Sequence, residues 1–427
     1  MKTSYFKNDI IQILRNTYLS FVIKWLLLCV IIGAITGSVS AFFLTSLNWV
    51  TDWRESHVWI IALLPIGGLS IGLMYHYWGS SVVKGNNLLL EELHSPKKII
   101  PFRMAPLVLL GTLITHFFGG SAGREGTAVQ MGGAIADQFT RFFKLNENDR
   151  KIILIMGISA GFASVFGTPL AGAIFAVEVM DLRRFRYKGI LPGLLVAFIA
   201  DYSCKVWGVG HTHYSIASVP DIAPNVLLWV VTSGILFGLT ALLFSKTVHF
   251  FTKLFRNAIG YPPLRPFIGG IFIALSVWGL GTTDYIGLGI PVIVDAFSKN
   301  LPVYAFMLKL LLTTFTLGAG FKGGEVTPLF FIGAALGNAL FLIFPLPMAL
   351  LAGMGFVAVF SGATNTPIAC TLMAIELFGI ESGIYTGLAC FVAYLFSGYT
   401  GIYTSQIIGC AKHRLYRRIK RRNLEEL

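Results

Sequence analysis

Long runs of apolar residues, separated by short polar segments, follow one another along almost the whole chain. They cover residues 18–50, 57–78, 103–119, 152–180, 189–209, 225–245, 266–280, 303–320, 328–362 and 366–399. One helix crosses the hydrocarbon layer of a membrane in about 20 residues, so several runs are too long for one span and others are too short. Many contain glycine or proline, and interrupted helices are tolerated in a membrane only where protein or a cavity surrounds them. The pattern predicts an all-α polytopic membrane protein with broken and re-entrant helices.

The composition supports this prediction. The 427 residues are 55% hydrophobic and 12% charged, whereas soluble domains are roughly 45–50% apolar and about 25% charged. The formal charge of +13 could indicate nucleic-acid binding. However, the basic clusters at 97–98, 183–186 and 413–422 all flank apolar runs, as the positive-inside rule expects. We therefore expect no nucleic-acid partner, and we expect both ends of the chain to lie in the cytoplasm.

A glycine-rich stretch after the third apolar run contains two ionisable residues, Arg124 and Glu125. Ionisable groups inside a membrane are costly and usually functional. Gly123 and Gly126 let the backbone turn sharply and approach a small ligand. From Thr127 the sequence predicts a helix, whose free N–H groups and positive dipole end favour an anion. Glu125 is then either a competitor for this anion site or a proton carrier, unless it caps its own helix or pairs with Arg124.

The second half of the chain repeats this stretch. The corresponding positions, at an offset of 200 or 198, are Gly123 and Gly323, Glu125 and Glu325, Thr127 and Thr327, Thr168 and Thr366, Pro169 and Pro367, and Glu178 and Glu376. Such a pattern is typical of a transporter built from two structural repeats, in which helix N-termini from both repeats converge on the substrate. We therefore expect residues 119–127 and 318–328 to lie together.

The repeat also predicts the organisation of the chain. We expect an interfacial N-terminal helix at 1–20, a first transmembrane repeat at 21–215, a second at 216–409 and a basic cytoplasmic tail at 410–427.

Several polar residues of the two loops are candidate anion ligands. The backbone at Val326 and the hydroxyl of Thr327 could donate hydrogen bonds, although Thr327 could also be an ordinary helix cap. Glu325 is a candidate proton relay or a partner of Lys322 at i, i+3. Asn86 could present an amide donor, or it could serve only the chemistry of a turn.

Two other kinds of site need consideration. Ser121 and Ser159 each lie in a Gly-x-Ser-x-Gly string, which in serine hydrolases requires a strand–turn–helix context that apolar helices do not offer. An intramembrane protease would also need a histidine, and His116 lies only five residues before Ser121. His211 and His213 could bind a metal, but without an acidic or cysteine neighbour a solvated loop is favoured. We expect no metal and no cofactor.

At these residues the chain resembles the CLC family of chloride channels and anion/proton antiporters. The resemblance rests on Gly-Arg-Glu-Gly at 123–126, the loop at 323–328, Thr-Pro-Leu-Ala-Gly at 168–172 with Glu178, and Tyr403. It implies a homodimer of subunits that each have a pore and two inverted repeats. It also implies that Glu125 is the gating carboxylate and that Tyr403 binds the anion.

The departures from the family pattern are also informative. Asn86 stands where chloride-type members have a serine, and Thr127 replaces a proline. The second loop has Glu325-Val326-Thr327 instead of an apolar stretch, and Val179 replaces the inner proton-transfer glutamate. Together these substitutions resemble the CLC-F branch of bacterial fluoride/proton antiporters.

The resemblance implies a fluoride/proton antiporter in the bacterial inner membrane, with fluoride, protons and lipid as its partners. The expected anion-binding residues are Asn86, Gly123, Arg124, Gly126, Thr127, Val326, Thr327 and Tyr403, with Glu125 exchanging anion for proton. A chloride/proton antiporter or a passive chloride channel is the alternative, and Val179 is compatible with a channel.

Overall fold

The computed structural model describes residues 2–180, 187–407 and 412 of the chain. These residues form sixteen α-helices and three short 3-10 helices, at Val58–Leu63, Ser80–Val82 and Ile380–Ser382. The α-helices are α1 (Lys2–Ser56), α2 (Leu64–Tyr77), α3 (Asn86–His94), α4 (Met104–Phe117), α5 (Glu125–Phe142), α6 (Glu147–Phe166), α7 (Pro169–Glu178), α8 (Tyr187–Val206), α9 (Pro224–Ala258), α10 (Leu264–Leu280), α11 (Ile290–Asp295), α12 (Ala305–Gly318), α13 (Val326–Leu340), α14 (Met348–Thr364), α15 (Pro367–Phe378) and α16 (Gly383–Phe396). The predicted all-α fold is confirmed.

The helices differ in length as the apolar runs predict. Four are long and apolar enough to cross a membrane: Leu19–Ser56, Val58–Tyr77, Lys188–Val206 and Pro224–Ala258. The long run 152–180 is divided between α6 and α7, and the run 328–362 between α13 and α14. Every residue of α13 is buried. A short helix of this kind is stable in a membrane because protein surrounds it.

The breaks after α6 and α14 have the same construction in both halves. Gly167 ends α6 with φ 71°, and Asn365 ends α14 with φ 59°. Glycine and asparagine are the residues that most readily adopt this left-handed conformation at a helix end. A Thr-Pro pair follows each of them, and the proline begins the next helix, where its missing N–H costs nothing.

Helices α7 and α15 cap each other's first turn. Glu178, the last residue of α7, accepts hydrogen bonds from the N–H groups of Ile368 at 2.9 Å and Ala369 at 2.7 Å. Glu376 of α15 accepts hydrogen bonds from the N–H groups of Leu170 at 2.9 Å and Ala171 at 2.8 Å. A carboxylate at a helix start satisfies free N–H groups and the positive end of the dipole. The two repeats are thereby joined through equivalent contacts.

The expected divisions of the chain relate to the structure in three ways. The division at residue 20 falls inside α1. The division at 215 falls in the non-helical segment 207–223 between α8 and α9. The basic cluster 183–186 and the tail 410–427, apart from Lys412, lie outside the described residues.

Candidate functional site

Two loops, one from each half, meet immediately before α5 and α13. The N–H of Gly123 donates to the oxygen of Gly324 at 2.6 Å, and the N–H of Gly324 donates to the oxygen of Gly123 at 2.7 Å. A Cβ atom on Gly324 would lie 2.8 Å from the nitrogen of Gly126, so a side chain there is excluded. The expectation that the two loops lie together is confirmed. We call this pair of hydrogen bonds the glycine bridge.

The carboxylate of Glu125 crosses from the first half to the second. Glu125 is the first residue of α5, so the helix begins two residues before the predicted start at Thr127. Its side chain is 1% exposed. Oε2 accepts a hydrogen bond from the N–H of Thr327 at 3.0 Å, and Oε1 accepts one from the Thr327 hydroxyl. The N–H of Arg124 donates to Oε2 at 3.2 Å. The carboxylate therefore occupies donors that a small anion would also use.

Arg124 adds a positive charge to the same place. Its Nε atom lies 3.5 Å from Oε1 of Glu125, and its side chain is 14% exposed. The suggested pairing of Arg124 with Glu125 is thus present, together with the contacts to Thr327. The charge of Arg124 favours an anion at this position whether that anion is the carboxylate or a free ion.

Val326 and Thr327 are the first two residues of α13 and both are buried. The N–H groups of a first helical turn have no partner within the helix. One of them, on Thr327, already donates to Glu125. The hydroxyl of Thr327 also donates to that carboxylate, so Thr327 contributes two donors and is more than a cap of its own helix.

Thr127 has a different set of contacts. Its hydroxyl lies 2.7 Å from the hydroxyl of Thr112 on α4, and Thr112 donates to the oxygen of Val108 at 2.8 Å. Since Thr112 gives its hydrogen to Val108, Thr127 must donate to Thr112. The N–H of Thr127 donates to the oxygen of Arg124 at 3.2 Å. The structure therefore does not bring the hydroxyl of Thr127 to the carboxylate of Glu125.

Asn86 and Glu325 both lie close to Gly126. A Cβ atom on Gly126 would be 3.0 Å from Nδ2 of Asn86 and 3.8 Å from Oε2 of Glu325. Asn86 is the first residue of α3, and its Oδ1 atom is buried without a hydrogen-bond partner in the described chain. The donor end of this amide is thus next to the start of α5.

A cavity of about 160 Å³, which we call the inner cavity, is lined by Lys84, Asn86, Lys322, Glu325 and Tyr403 among others. No ion pair of the described residues joins Lys322 to Glu325. The ammonium group of Lys322 instead lies 4.2 Å from the centre of the Tyr75 ring. The carboxylate of Glu325 therefore reaches a polar cavity that Lys322 also lines, but it makes no ion pair at contact distance with that lysine.

Tyr403 is 5% exposed and shares a smaller cavity of about 10 Å³ with Asn86 and Val179. The structure thus brings together Asn86 and Tyr403, two of the side chains that were expected to bind the anion. The valine adds no group that can carry a proton.

The turn that contains Tyr403 is held by hydrogen bonds to residues that are distant in the sequence. The N–H of Ser405 donates to Oδ1 of Asn87 at 3.0 Å. The amide of Gln406 donates to the oxygens of Val179 at 3.0 Å and Thr364 at 2.9 Å. All these partners are far apart in sequence, so no local pattern marks them.

A second cavity, which we call the outer cavity, has a volume of about 20 Å³ and is lined by Arg124, Glu125, His211, Tyr214 and Thr327 among others. The side chain of His211 is only 10% exposed, so the expectation of a solvated loop is wrong for this residue. His213 is exposed. The described residues contain no group of three metal-type ligands.

The serine–histidine alternative has no geometric support. The hydroxyl of Ser121 donates to the oxygen of Tyr285 at 3.1 Å and lies 2.8 Å from the hydroxyl of Thr313. Neither ring nitrogen of His116 has a hydrogen-bond partner in the described chain. A nucleophilic serine needs a base within hydrogen-bond reach, and His116 does not take that position.

Comparisons with known proteins agree with this architecture. Residues 67–398 match the model of a family described as voltage gated chloride channel. A chloride/fluoride channel protein of Pseudomonas syringae pv. tomato is 52% identical over 401 residues, which are 92% of this chain and 89% of the relative. An H(+)/Cl(-) exchange transporter of Vibrio vulnificus is 29% identical over 392 residues, which are 83% of this chain and 82% of the relative.

Two solved structures extend the comparison. A CLC-type fluoride/proton antiporter has a TM-score of 0.88 and 35% identity, over 90% of this chain and 98% of that chain. A slow cyanobacterial Cl-/H+ antiporter has a TM-score of 0.79 and 21% identity, over 89% of this chain and 96% of that chain. The second likeness supports the fold alone.

Proposed function

Since the chain belongs to the voltage gated chloride channel family, whose model matches residues 67–398, we propose that it exports fluoride in exchange for protons. The similarity to a chloride/fluoride channel protein and to a fluoride/proton antiporter supports this substrate. One observation carries the mechanism: the Glu125 carboxylate takes donors from Thr327 and Arg124 that a fluoride ion could take instead.

The exchange follows from this competition for donors. While Glu125 is ionised, its carboxylate holds the donors of Thr327 and blocks the anion. A proton removes its charge, so the side chain is bound less strongly by the N–H groups and the dipole at the helix start, and it leaves. Fluoride then occupies the donors, and its departure lets Glu125 give up the proton and return. One anion and one proton thus alternate at a single position.

The donor set suits a small anion. Fluoride is strongly hydrated, so it enters a buried site only where strong donors replace its water. The amide of Asn86, the hydroxyls of Thr327 and Tyr403, and the N–H groups that begin α13 are the donors on its route. The backbone at Gly123, Gly126 and Val326 completes the route, while Arg124 supplies the attracting charge. Thr127 supports the route by fastening the start of α5 to Thr112.

On the other side of the glycine bridge, Glu325 serves as the inner proton carrier. It lines the inner cavity, whereas Glu125 lines the outer one. The two carboxylates therefore face opposite cavities. A proton carrier at Glu325 would take the place of the family's inner glutamate, because Val179 at that position has no titratable group.

A passive anion channel, or a chloride/proton antiporter, is the second candidate function. Val179 favours it, because the small cavity that Val179 shares with Asn86 and Tyr403 contains no carboxylate. The similar protein from Pseudomonas syringae is a chloride/fluoride channel protein by name.

The protein is a multi-pass membrane protein, and we place it in the bacterial inner membrane with both ends in the cytoplasm. The basic clusters at 97–98 and 183–186 support this orientation. By the family resemblance we also propose a homodimer in which each subunit consists of a helix at 1–20, repeats at 21–215 and 216–409, and a tail at 410–427.

The test uses purified protein in liposomes loaded with fluoride or chloride. We expect fluoride efflux, followed with a fluoride electrode, to draw protons into the vesicles, and chloride efflux to be much slower. Equal fluxes of the two anions would contradict fluoride selectivity. Fluoride efflux without proton movement would favour the channel.

In Glu125→Gln the side chain is a permanently neutral amide. We expect proton-coupled exchange to be lost in this variant and to persist in Glu381→Gln, which changes an exposed glutamate. Normal coupled exchange in Glu125→Gln would refute the mechanism.

A further inference from the structure

One histidine shares the outer cavity with the Glu125 carboxylate. His211 lines this cavity together with Arg124, Tyr214 and Thr327. Gly167 has no side chain, and a Cβ atom there would lie 3.0 Å from Cγ of the His211 ring. The end of α6 thus leaves room for the imidazole.

Both ring nitrogens of His211 are buried and make no hydrogen bond of good geometry within the described chain; the nearest acceptor, Oδ1 of Asp201, lies 3.5 Å from Nε2. A buried polar group without a partner is costly and calls for an explanation. The outer cavity has a volume of about 20 Å³, and a single water needs roughly 10–15 Å³. One water in this cavity would give the ring a partner and would connect it to Glu125.

Asp201 lies behind the imidazole, on α8. Its Oδ1 atom is 3.5 Å from Nε2 of His211, and both side chains are at most 10% exposed. Oδ2 of Asp201 is bound by Lys205 at 2.7 Å, which leaves Oδ1 directed to the ring. A carboxylate in this position orients an imidazole and stabilises its protonated form. Asp201 is therefore a positioning residue for His211.

The ionisable groups around this pair come from three helices and from the loop of His211 itself. They are Asp201, Cys204 and Lys205 on α8, Arg124 and Glu125 at the start of α5, Glu376 on α15, and Tyr214 in the same loop. Histidine is the side-chain type that exchanges protons most readily near neutral pH.

The chain direction places this histidine on the outer face. Helix α8 begins at Tyr187, directly after the basic cluster 183–186, and it crosses the membrane. The basic cluster belongs to the cytoplasmic side. The other end of α8, at Val206, therefore lies outside, and His211 follows five residues later.

We propose that His211 delivers protons from the external solution to Glu125, an assignment that rests on the proposed function above. Neutral His211 takes a proton from external water. The imidazolium gives a proton to the water of the outer cavity, which passes one on to the Glu125 carboxylate. His211 is then neutral again, and no electrons are transferred. The neutral Glu125 releases the donors of Thr327 to fluoride.

The first test compares two histidines that are two residues apart. We expect His211→Gln to slow coupled exchange near neutral external pH by about 100-fold, the low end of what a positioned proton-transfer group contributes. At acidic external pH the rate should return towards that of the unchanged protein, because Glu125 then takes protons directly from water. His213→Gln is the matched control, since His213 is exposed. Equal rates of the two variants at all pH values would overturn the assignment.

The second test separates proton transfer from folding. Fluoride binding to purified His211→Gly, measured by calorimetry, should equal that of the unchanged protein, and added imidazole should restore exchange through the vacated space beside Gly167. Asp201→Asn should lose less activity than His211→Gln, because Asp201 acts through the ring. Absence of imidazole rescue in a variant that still binds fluoride would overturn the assignment.

The two proposals can fail separately. If the unchanged protein moves fluoride without protons, both the proposed function and this inference are overturned. If it couples the two ions while His211→Gln and His213→Gln behave alike, only the role of His211 is overturned.

Discussion

Two of the junctions between the repeats treat their glutamates differently. Between α7 and α15 the contacts are reciprocal, since Glu178 and Glu376 each accept two N–H bonds from the other helix. Between α5 and α13 they are one-sided. Glu125 crosses to Thr327, whereas Glu325 faces the inner cavity. The reciprocal junction joins the two halves. The one-sided junction leaves one glutamate at the outer cavity and the other at the inner cavity, so the two ends of the ion path differ.

The one-sided junction has a local chemical cause. Thr127 and Thr327 occupy equivalent positions, but Thr127 donates to Thr112. At the same offset of 200 the second half has Leu312, which carries no hydroxyl. The neighbouring Thr313 is bound to Ser121 at 2.8 Å. The hydroxyl of Thr327 is therefore available to Glu125.

The largest effect is expected when the acid on the inner side of the one-sided junction is neutralised. Glu325→Gln changes neither Glu125 nor the donors of Thr327 that it exchanges with fluoride, so fluoride should still move. Proton uptake coupled to it should fall by about 100-fold, because a proton-transfer group is lost. The measurement is proton uptake per fluoride released, with Glu381→Gln as the control. An unchanged ratio would mean that protons leave by a route without Glu325.

An intermediate effect is expected at the reciprocal junction. In Glu178→Gln one of the two N–H groups of α15 faces an amide nitrogen, so a hydrogen bond to a charged group is lost at a cost of about 1.5–3 kcal/mol of unfolding free energy. The matched change Glu376→Gln should cost less, because its contact with Leu170 is exposed whereas that of Glu178 with Ala369 is buried. Denaturation in detergent measures both values. A larger loss of stability in Glu376→Gln would contradict the prediction that the buried contact of Glu178 contributes more than the exposed contact of Glu376.

The smallest effect is expected from the two equivalent threonines. Thr327→Val removes a donor that Glu125 and fluoride use in turn, so fluoride affinity should fall about tenfold, which corresponds to about 1.4 kcal/mol. Thr127→Val should leave fluoride affinity unchanged and should cost about 1 kcal/mol of stability, since only the bond to Thr112 is lost. Calorimetric titration with fluoride distinguishes them. Equal losses of affinity would contradict the one-sided junction.

The sequence was sufficient to locate the two loops, because a repeat at a nearly constant offset is visible along one dimension. It also indicated the broken helices, since runs such as 152–180 are too long for one span. The boundaries were less accurate. Glu125 begins α5, whereas the sequence pattern favoured a start at Thr127. Gly123 and Gly126, which precede Thr127, made the first helical turn resemble a loop.

Partners across the two halves could not be derived in the same way. Thr127 and Thr327 each follow a glycine and a glutamate at the same spacing, and their different partners depend on Thr112 and Leu312 in other helices. His211 belongs to no motif, and its sequence neighbours suggested a solvated loop. Its burial depends on Gly167 and Asp201, which are 44 and 10 residues away along the chain. Such contacts exist only once the chain has folded.

The glycine bridge has a consequence for how such a protein can evolve. The two halves are free to differ at equivalent positions wherever each has its own surroundings, as Thr112 and Leu312 do. At the bridge neither half has that freedom, since a Cβ atom on Gly324 would meet the nitrogen of Gly126 at 2.8 Å and one on Gly123 would meet the oxygen of Gly324 at 3.0 Å. A side chain gained by either glycine would displace the backbone of the other half, so a change at the bridge in one half requires a matching change in the other.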